Sequence, residues 1–230
     1  MNSAELKQLA DLITNYCTPA WQEILFQSAV LLEYKPGEII FKEGQKADSV
    51  YMVKEGRIKV FSNFTEKIEI IARFSSDGQV IGHRGFGENF TFSVSAKSLS
   101  RSSIYIFPIE VFQNMLMANN MFCYYFLLFF AEELRRTERM QKNLLNMSVK
   151  QRVAMAIKIN QESFGYRKGE QGLFAFTLSK KDLAFLANTS YESVVRTLKE
   201  FEKEAVIQLE GKQIRLLDEA ALLAYGLPIL

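Results

Sequence analysis

The apolar positions of this chain follow helical spacing, then strand spacing, then helical spacing again. Leu6, Leu9, Ala10 and Ile13 recur as on a helix, and Pro19 opens a second short helix carrying Trp21, Ile24 and Leu25. From Val30 to Pro108 the pattern becomes short β-prone runs: Glu38 to Phe41, Val50 to Val53, Ile58 to Phe61, Ile68 to Ile71, Thr91 to Val94 and Ser103 to Phe107. Pro36-Gly37, Gly44, Glu55-Gly56, Asp77-Gly78 and Gly82 break them up, and closely spaced strands between turn signals predict a small β-sandwich or barrel. Helical spacing returns after Pro108. Ile109 to Met117 suits a short helix, Asn119-Asn120 punctuates it, and a stretch free of Gly and Pro from Met121 to Asn146 predicts one long helix. Asn146 to Val149 reads as a hinge, Val149 to Ser163 as a further helix, and Phe164 to Phe176, with Gly165, Gly169 and Gly172, as a loop.

Within the long helix, Phe126, Phe130, Leu134, Thr137, Gln141 and Leu144 follow one another at intervals of 4, 4, 3, 4 and 3. That is the period of a coiled-coil seam. Glu132, Glu133, Arg135, Arg136, Glu138, Arg139 and Lys142 decorate the other faces. A helix buried in its own domain can carry such a stripe too. The length of this one, and its place between two domains, favour the seam of a homodimer. Its most apolar part, Met121 to Ala131, ends at Glu132 and Glu133. At about 11 residues it is far short of the roughly 20 that a membrane span needs, so no membrane partner is expected.

With 230 residues, 48% of them apolar and 23% charged, the chain suits one large or two small globular domains. A net charge of +2 neither demands nor excludes nucleic acid, and a DNA reader would have to concentrate its cations locally. Cys17 and Cys123 cannot by themselves ligate a zinc ion or an iron–sulfur cluster. Met1 to Leu6 lacks a charged start followed by an apolar run, so two widely spaced thiols without a leader suggest the cytoplasm. No nucleophile elbow, P-loop or metal-ligand cluster is present, and His83 is the single histidine. An enzyme is therefore not expected.

The stretch Thr177 to Phe201 carries the most chemistry. Ser179 is placed to cap a helix, with Asp182 three residues on, close to a capping box. Leu183, Ala184 and Ala187 give that helix a short apolar face on which a second helix can cross closely. Asn188 tolerates the left-handed conformation of a tight turn, Ser190 can cap the second helix, and Val194, Leu198 and Phe201 recur along it. This is a helix-turn-helix pattern. Tyr191, Glu192, Ser193 and Arg196 are the early, outward-facing residues of the second helix. An arginine can pair with guanine O6 and N7 and a glutamate can accept from cytosine N4. Glu192 and Arg196 also stand four apart, the spacing of an ordinary surface ion pair. Val206 to Leu217 then reads as two short strands about a turn at Glu210-Gly211, a wing, with Lys212 at its tip. Lys212, Lys180 and Lys181 are placed to touch phosphate, or are generic surface lysines.

These residues resemble the bacterial regulators of the cyclic-AMP receptor protein and fumarate–nitrate regulator (CRP/FNR) family. The resemblance spans nearly the whole chain. It rests on Pro36-Gly37-Glu38-Ile39-Ile40-Phe41-Lys42-Glu43-Gly44, on Val50 to Val60, and on Ser190-Tyr191-Glu192-Ser193-Val194-Val195-Arg196. In the family the Glu and the second Arg of the latter segment read a G·C-containing half-site, and Glu192 and Arg196 match them; Tyr191 stands where the best-known member has another arginine. The resemblance implies an α+β fold: an N-terminal double-stranded β-helix (jelly-roll) sensor with helices (1–118), a dimerisation helix and hinge (119–147), and a C-terminal winged helix-turn-helix (148–230). It also implies a cassette that holds a cyclic nucleotide by a Gly-Glu pair and a later Arg. Here Gly82 is kept, His83 replaces the Glu, and Phe90, followed by Thr91, stands about where the Arg belongs. A cyclic phosphate would lose a charge-assisted bidentate contact, so cyclic AMP is not expected as the effector. Arg84 offers a relocated positive charge, or is a structural arginine in a turn. Thr137 matches the position that meets the adenine base, yet a threonine in a seam needs no ligand to explain it.

The expected function is thus a homodimeric, sequence-specific transcription regulator on a palindromic DNA operator, probing an unidentified small-molecule effector and working with RNA polymerase. The alternative is a small-molecule or haem sensor, with His83 as the axial ligand, whose DNA binding is lost or secondary. The cofactor is left unassigned.

Overall fold

A computed structural model describes residues 9–65, 68–86 and 89–225. Leu6 and the opening Met1 to Leu6 segment lie outside these residues. The chain divides into two compact units, with the boundary after Arg135 and residues 64–71 grouped with the second.

The first unit opens with α1 (Leu9–Tyr16) and α2 (Pro19–Ser28). The second of these starts on a proline, and the Thr18 side chain accepts from the Trp21 amide, an N-cap that satisfies one orphan donor. Eight strands follow: β1 (Val30–Tyr34), β2 (Ile39–Phe41), β3 (Ser49–Glu55), β4 (Ile58–Asn63), β5 (Glu69–Ser75), β6 (Val80–Ile81), β7 (Ser95–Ser98) and β8 (Ser102–Pro108). They form two four-stranded sheets, ordered β1-β8-β3-β6 and β2-β7-β4-β5. The inner faces share one core: Phe41, Val53, Ile58, Val60, Ile81, Ala96 and Ile104. On β3, Tyr51 and Val53 point into that core, while Val50 and Met52 point to the other side, where α1, α2, α3 (Ile109–Ala118) and the start of α4 (Asn120–Asn146) pack. Burial on both faces explains why β3 reads as a nearly continuous apolar run. The turn into β4 needs a glycine: Gly56 has φ 131, and a Cβ there would lie 2.7 Å from the Ser102 Cα.

The expected helices appear within a residue or two, but one expected strand does not. Thr91 to Val94 is no strand; Phe90 takes φ 42, where a bulky side chain is rare, and the chain turns there. The strand forms instead at Ser95–Ser98, where Val60 pairs with Ala96 and Lys59 with Lys97. Tertiary pairing overrides the weak strand preference of Ser-Ala-Lys-Ser.

The second unit contains α5 (Val149–Phe164), α6 (Lys180–Leu186), α7 (Tyr191–Lys203), the antiparallel hairpin β9 (Ile207–Glu210) and β10 (Gln213–Leu216), and α8 (Glu219–Leu223). Ser148 starts α5 with a full capping box, its side chain accepting from the Gln151 amide while Gln151 accepts in return. Val194, Leu198 and Phe201 of α7 are each at most 1% exposed. Burying each such side chain stabilises by about 1.5–3 kcal/mol. The Asn160 amide, itself fully buried, donates to the Phe176 carbonyl at 2.7 Å and accepts from the Leu178 amide at 2.8 Å, which fixes the loop leading into α6.

Candidate nucleic-acid interface

The turn between α6 and α7 is built by local polar chemistry. Ser179 Oγ accepts from the Asp182 amide at 3.0 Å and donates to the Asp182 carboxylate at 2.6 Å. Asn188 takes φ 44, as the sequence predicts. Ser190 Oγ accepts from the Ser193 amide at 3.1 Å and caps α7. One face of α7 is therefore locked into the core, and the opposite face is free. Tyr191, Glu192, Val195, Arg196, Lys199, Glu200 and Lys203 line one shallow surface along it. Tyr191 is 51% exposed. Among the described residues, the ion pair that four-residue spacing permits between Glu192 and Arg196 is not formed, so both charged groups stand ready for an outside partner.

The wing pairs Glu210 with Gln213, leaving a two-residue turn at Gly211-Lys212, and Lys212 is exposed there. Arg215 on the same hairpin is committed internally: its guanidinium donates to Glu210 at 2.6 Å and to the Gln171 carbonyl at 2.6 Å. Lys181 lies over the Phe185 ring, 5.4 Å from its centroid, and Lys180 is half-buried. The hydroxyl of Ser193 meets that of Ser190 at 3.1 Å.

In the first unit, Gly82 has φ 79 and starts the turn that carries His83 and Arg84. His83 is 3% exposed and meets Phe129 and Phe130 edge-on, with centroids 5.1 and 5.3 Å away. Among the described residues neither ring nitrogen has a hydrogen-bond partner. Burial, with Arg73 adding to it, holds the imidazole well below its ordinary pKa, against the opposing pull of Glu133. Arg84 is paired: its Nη2 meets Glu133 Oε2 at 3.1 Å, and Arg73 Nη1 meets the same oxygen at 2.9 Å. The burial of Glu133 would raise its pKa, yet the charges of Arg73 and Arg84, with the hydrogen bond from Arg73, bring it down to about 2. Phe90 is half-buried against Phe86, and Thr91 is exposed.

Position 90 carries no guanidinium, Arg84 is already engaged by Glu133, and inside the roll Phe92 stacks on Phe41 at 4.2 Å. Among the described residues no group of three or more His, Cys, Asp or Glu can hold a metal ion. Thr137 lies on the part of α4 grouped with the second unit.

Along α4, Phe126 is 4% exposed and stacks on Phe122 and Phe129, and Phe130 packs on the same core. The first half of the expected seam is thus spent inside its own unit. The large apolar residues exposed on α4 are Met121, Tyr124, Leu127, Leu134 and Leu145, at 54%, 54%, 64%, 62% and 85%. Leu134 belongs to the expected stripe, whereas Tyr124 and Leu127 stand beside its first positions. Thr137 and Leu144 are half-buried and Gln141 is exposed. Arg73, Glu133 and Arg152 were not singled out from the sequence. Their partners lie far off along the chain, 60 residues in the case of Arg73 and Glu133, and no local spacing marks such a pair.

A β-roll, a long helix and a capped helix-turn-helix with a wing together define a two-part regulator of transcription. The comparisons agree. A family described as "Cyclic nucleotide-binding domain" matches residues 31–119, and one described as "Crp-like helix-turn-helix domain" matches residues 138–225. The transcriptional activator protein Anr of Pseudomonas protegens is 25% identical over 190 residues, 83% of this chain and 78% of that protein. Electron transport regulator A of Shewanella oneidensis is 25% identical over 79% of this chain and 72% of its own. Among solved structures, FixK2 from Bradyrhizobium japonicum aligns with a TM-score of 0.77 at 19% identity, covering 88% of this chain and 99% of that one. The c-di-GMP responsive regulator CLP of Xanthomonas campestris aligns at 0.74 and 19% identity, covering 87% and 100%. The chain belongs to the CRP/FNR family of transcription regulators. No described helix is long and apolar enough to cross a membrane.

Proposed function

We propose that the protein acts in the cytoplasm as a homodimer on a palindromic operator, α7 of each copy entering a major groove. The observation that carries this reading is the pair Glu192 and Arg196, solvent-facing and uncommitted on a helix whose other face is locked into the core. Arg196 suits guanine and Glu192 suits cytosine in the same half-site. Tyr191 and Val195 offer apolar surface beside them, which suits a thymine methyl. Ser179, Lys180, Lys181, Ser193 and Lys212 set the register through phosphate contacts.

Dimerisation through α4 is supported by Tyr124, Leu127 and Leu134, whose exposure leaves an apolar line that water disfavours. Two-fold symmetry then sets half-site centres ~34 Å apart. Control lies with an effector other than cyclic AMP, and RNA polymerase is the partner through which bound protein acts.

The test is selection from a random duplex library with the purified protein and no added ligand. An enriched palindrome supports the reading and gives the half-site. Enrichment of single, unpaired half-sites argues against the dimer, and no enrichment with or without cell extract argues against DNA reading.

A further inference from the structure

α5 begins directly after the long helix. Met147 and Ser148 lie between them, and the Met147 amide still bonds to the Asn143 carbonyl at 3.0 Å. Three consecutive residues of its first turn reach to different parts of the second unit. Lys150 Nζ meets Glu204 at 2.7 Å at the end of α7 and lies over the Phe201 and Tyr225 rings. Gln151 donates to the Tyr225 carbonyl at 2.9 Å.

Arg152 reaches furthest. Its Nη1 donates to the Met147 carbonyl at 2.7 Å, its Nε to the Ala187 carbonyl at 2.8 Å, and its Nη2 to the Asn188 carbonyl at 3.3 Å. Ala187 is the C-cap of α6, and Asn188 is the left-handed residue of the helix-turn-helix turn. One guanidinium therefore ties the exit of the long helix to the corner from which α7 departs. Its rigid fork meets all three carbonyls at once in a fixed geometry, which an ammonium on a flexible stem cannot do. Carbonyls at a helix end carry partial negative charge and otherwise lack donors, so a cation there is favoured as well.

We infer that Arg152 is a positioning residue for DNA recognition: it fixes the stance of α7 relative to the end of α4, and so the distance between the two half-sites that a dimer accepts. This rests on the dimeric DNA-reading function proposed above. The bases are read by other residues, so Arg152 governs spacing and leaves half-site sequence alone.

The experiment is selection from a library in which the spacer between two copies of the wild-type half-site is varied in length, run with the full-length protein, Arg152→Met and Arg152→Lys. The expected result is a single sharp spacing for the wild type. Both variants should keep the half-site sequence, accept spacers one or two base pairs off, and bind the wild-type operator about tenfold more weakly. A residue that merely supports folding would lower binding at all spacings in parallel and leave the profile unchanged; that result overturns the inference, as does wild-type sharpness in both variants. Arg152→Lys, which keeps the charge and the aliphatic stem, serves where Arg152→Met does not fold. Failure of the wild type to select any palindrome overturns the underlying reading, and the inference falls with it.

Discussion

Replacing Glu133 by Gln tests the electrostatics of the β-roll unit. The carboxylate bridges Arg73 and Arg84 through one oxygen, and its side chain and that of Arg73 are only 12% and 10% exposed. Its pKa stands at about 2 against the ordinary 4.5, a difference equivalent to about 3 kcal/mol of folding free energy. Removing one partner of a buried pair costs about 3–5 kcal/mol by a separate route, because the remaining charges stay buried. Arg73 keeps its bonds to Ser75 Oγ and the Val80 carbonyl, which places the expected loss at the lower end. The folded carboxyl has the depressed pKa, so its contribution is complete above pH 4.5 and disappears as pH falls from there towards 2. The single tryptophan, Trp21, packs on the core that contains Phe126 and Phe129 of α4 and reports unfolding of this unit. Urea titrations followed by its fluorescence should show Glu133→Gln weaker by about 3 kcal/mol at pH 7, with the two proteins converging towards pH 2–3. A gap that stays constant with pH, or one below about 0.5 kcal/mol at pH 7, would refute the reasoning.

Arg196→Ala should cost about 1–3 kcal/mol at the selected operator and relax preference at one base pair; binding assays on a set of singly altered operators check it. Leu134→Glu should shift the protein towards monomer in sedimentation, since a charge would be buried where an exposed leucine now stands; an unaltered dimer rejects α4 as the seam. Calorimetry with cyclic AMP should show no saturable heat, and micromolar affinity would overturn the reading of His83 and Phe90. Substituting deoxyuridine for thymine in the half-site, which removes only a methyl group, should weaken wild-type binding severalfold and leave Tyr191→Ala unaffected.

The winged helix-turn-helix was legible because its determinants are local. Ser179 with Asp182, Asn188, and Ser190 with Ser193 act over three or four residues, and the structure places each where the spacing does. The roll was legible as strands and turns but not in detail: β7 is recognisable only from its partners β2 and β4. The stripe along α4 was harder to read. In its first part α4 is apolar almost all round, so spacing alone could not say which line faces its own core; Phe122, Phe126 and Phe129 took that role and left Tyr124 and Leu127 outside. The Arg73–Glu133–Arg84 cluster was not legible, because it joins a strand, a turn and a helix that only the fold brings together.

The only histidine of the chain is the one enclosed behind Phe129 and Phe130 and held neutral. Imidazole is the side chain whose unperturbed titration falls between pH 5 and 8. This protein therefore carries no exposed histidine to change its charge as the acidity around it drifts across that range. Its attraction to a phosphate backbone should respond steeply to salt and hardly at all to modest acidification.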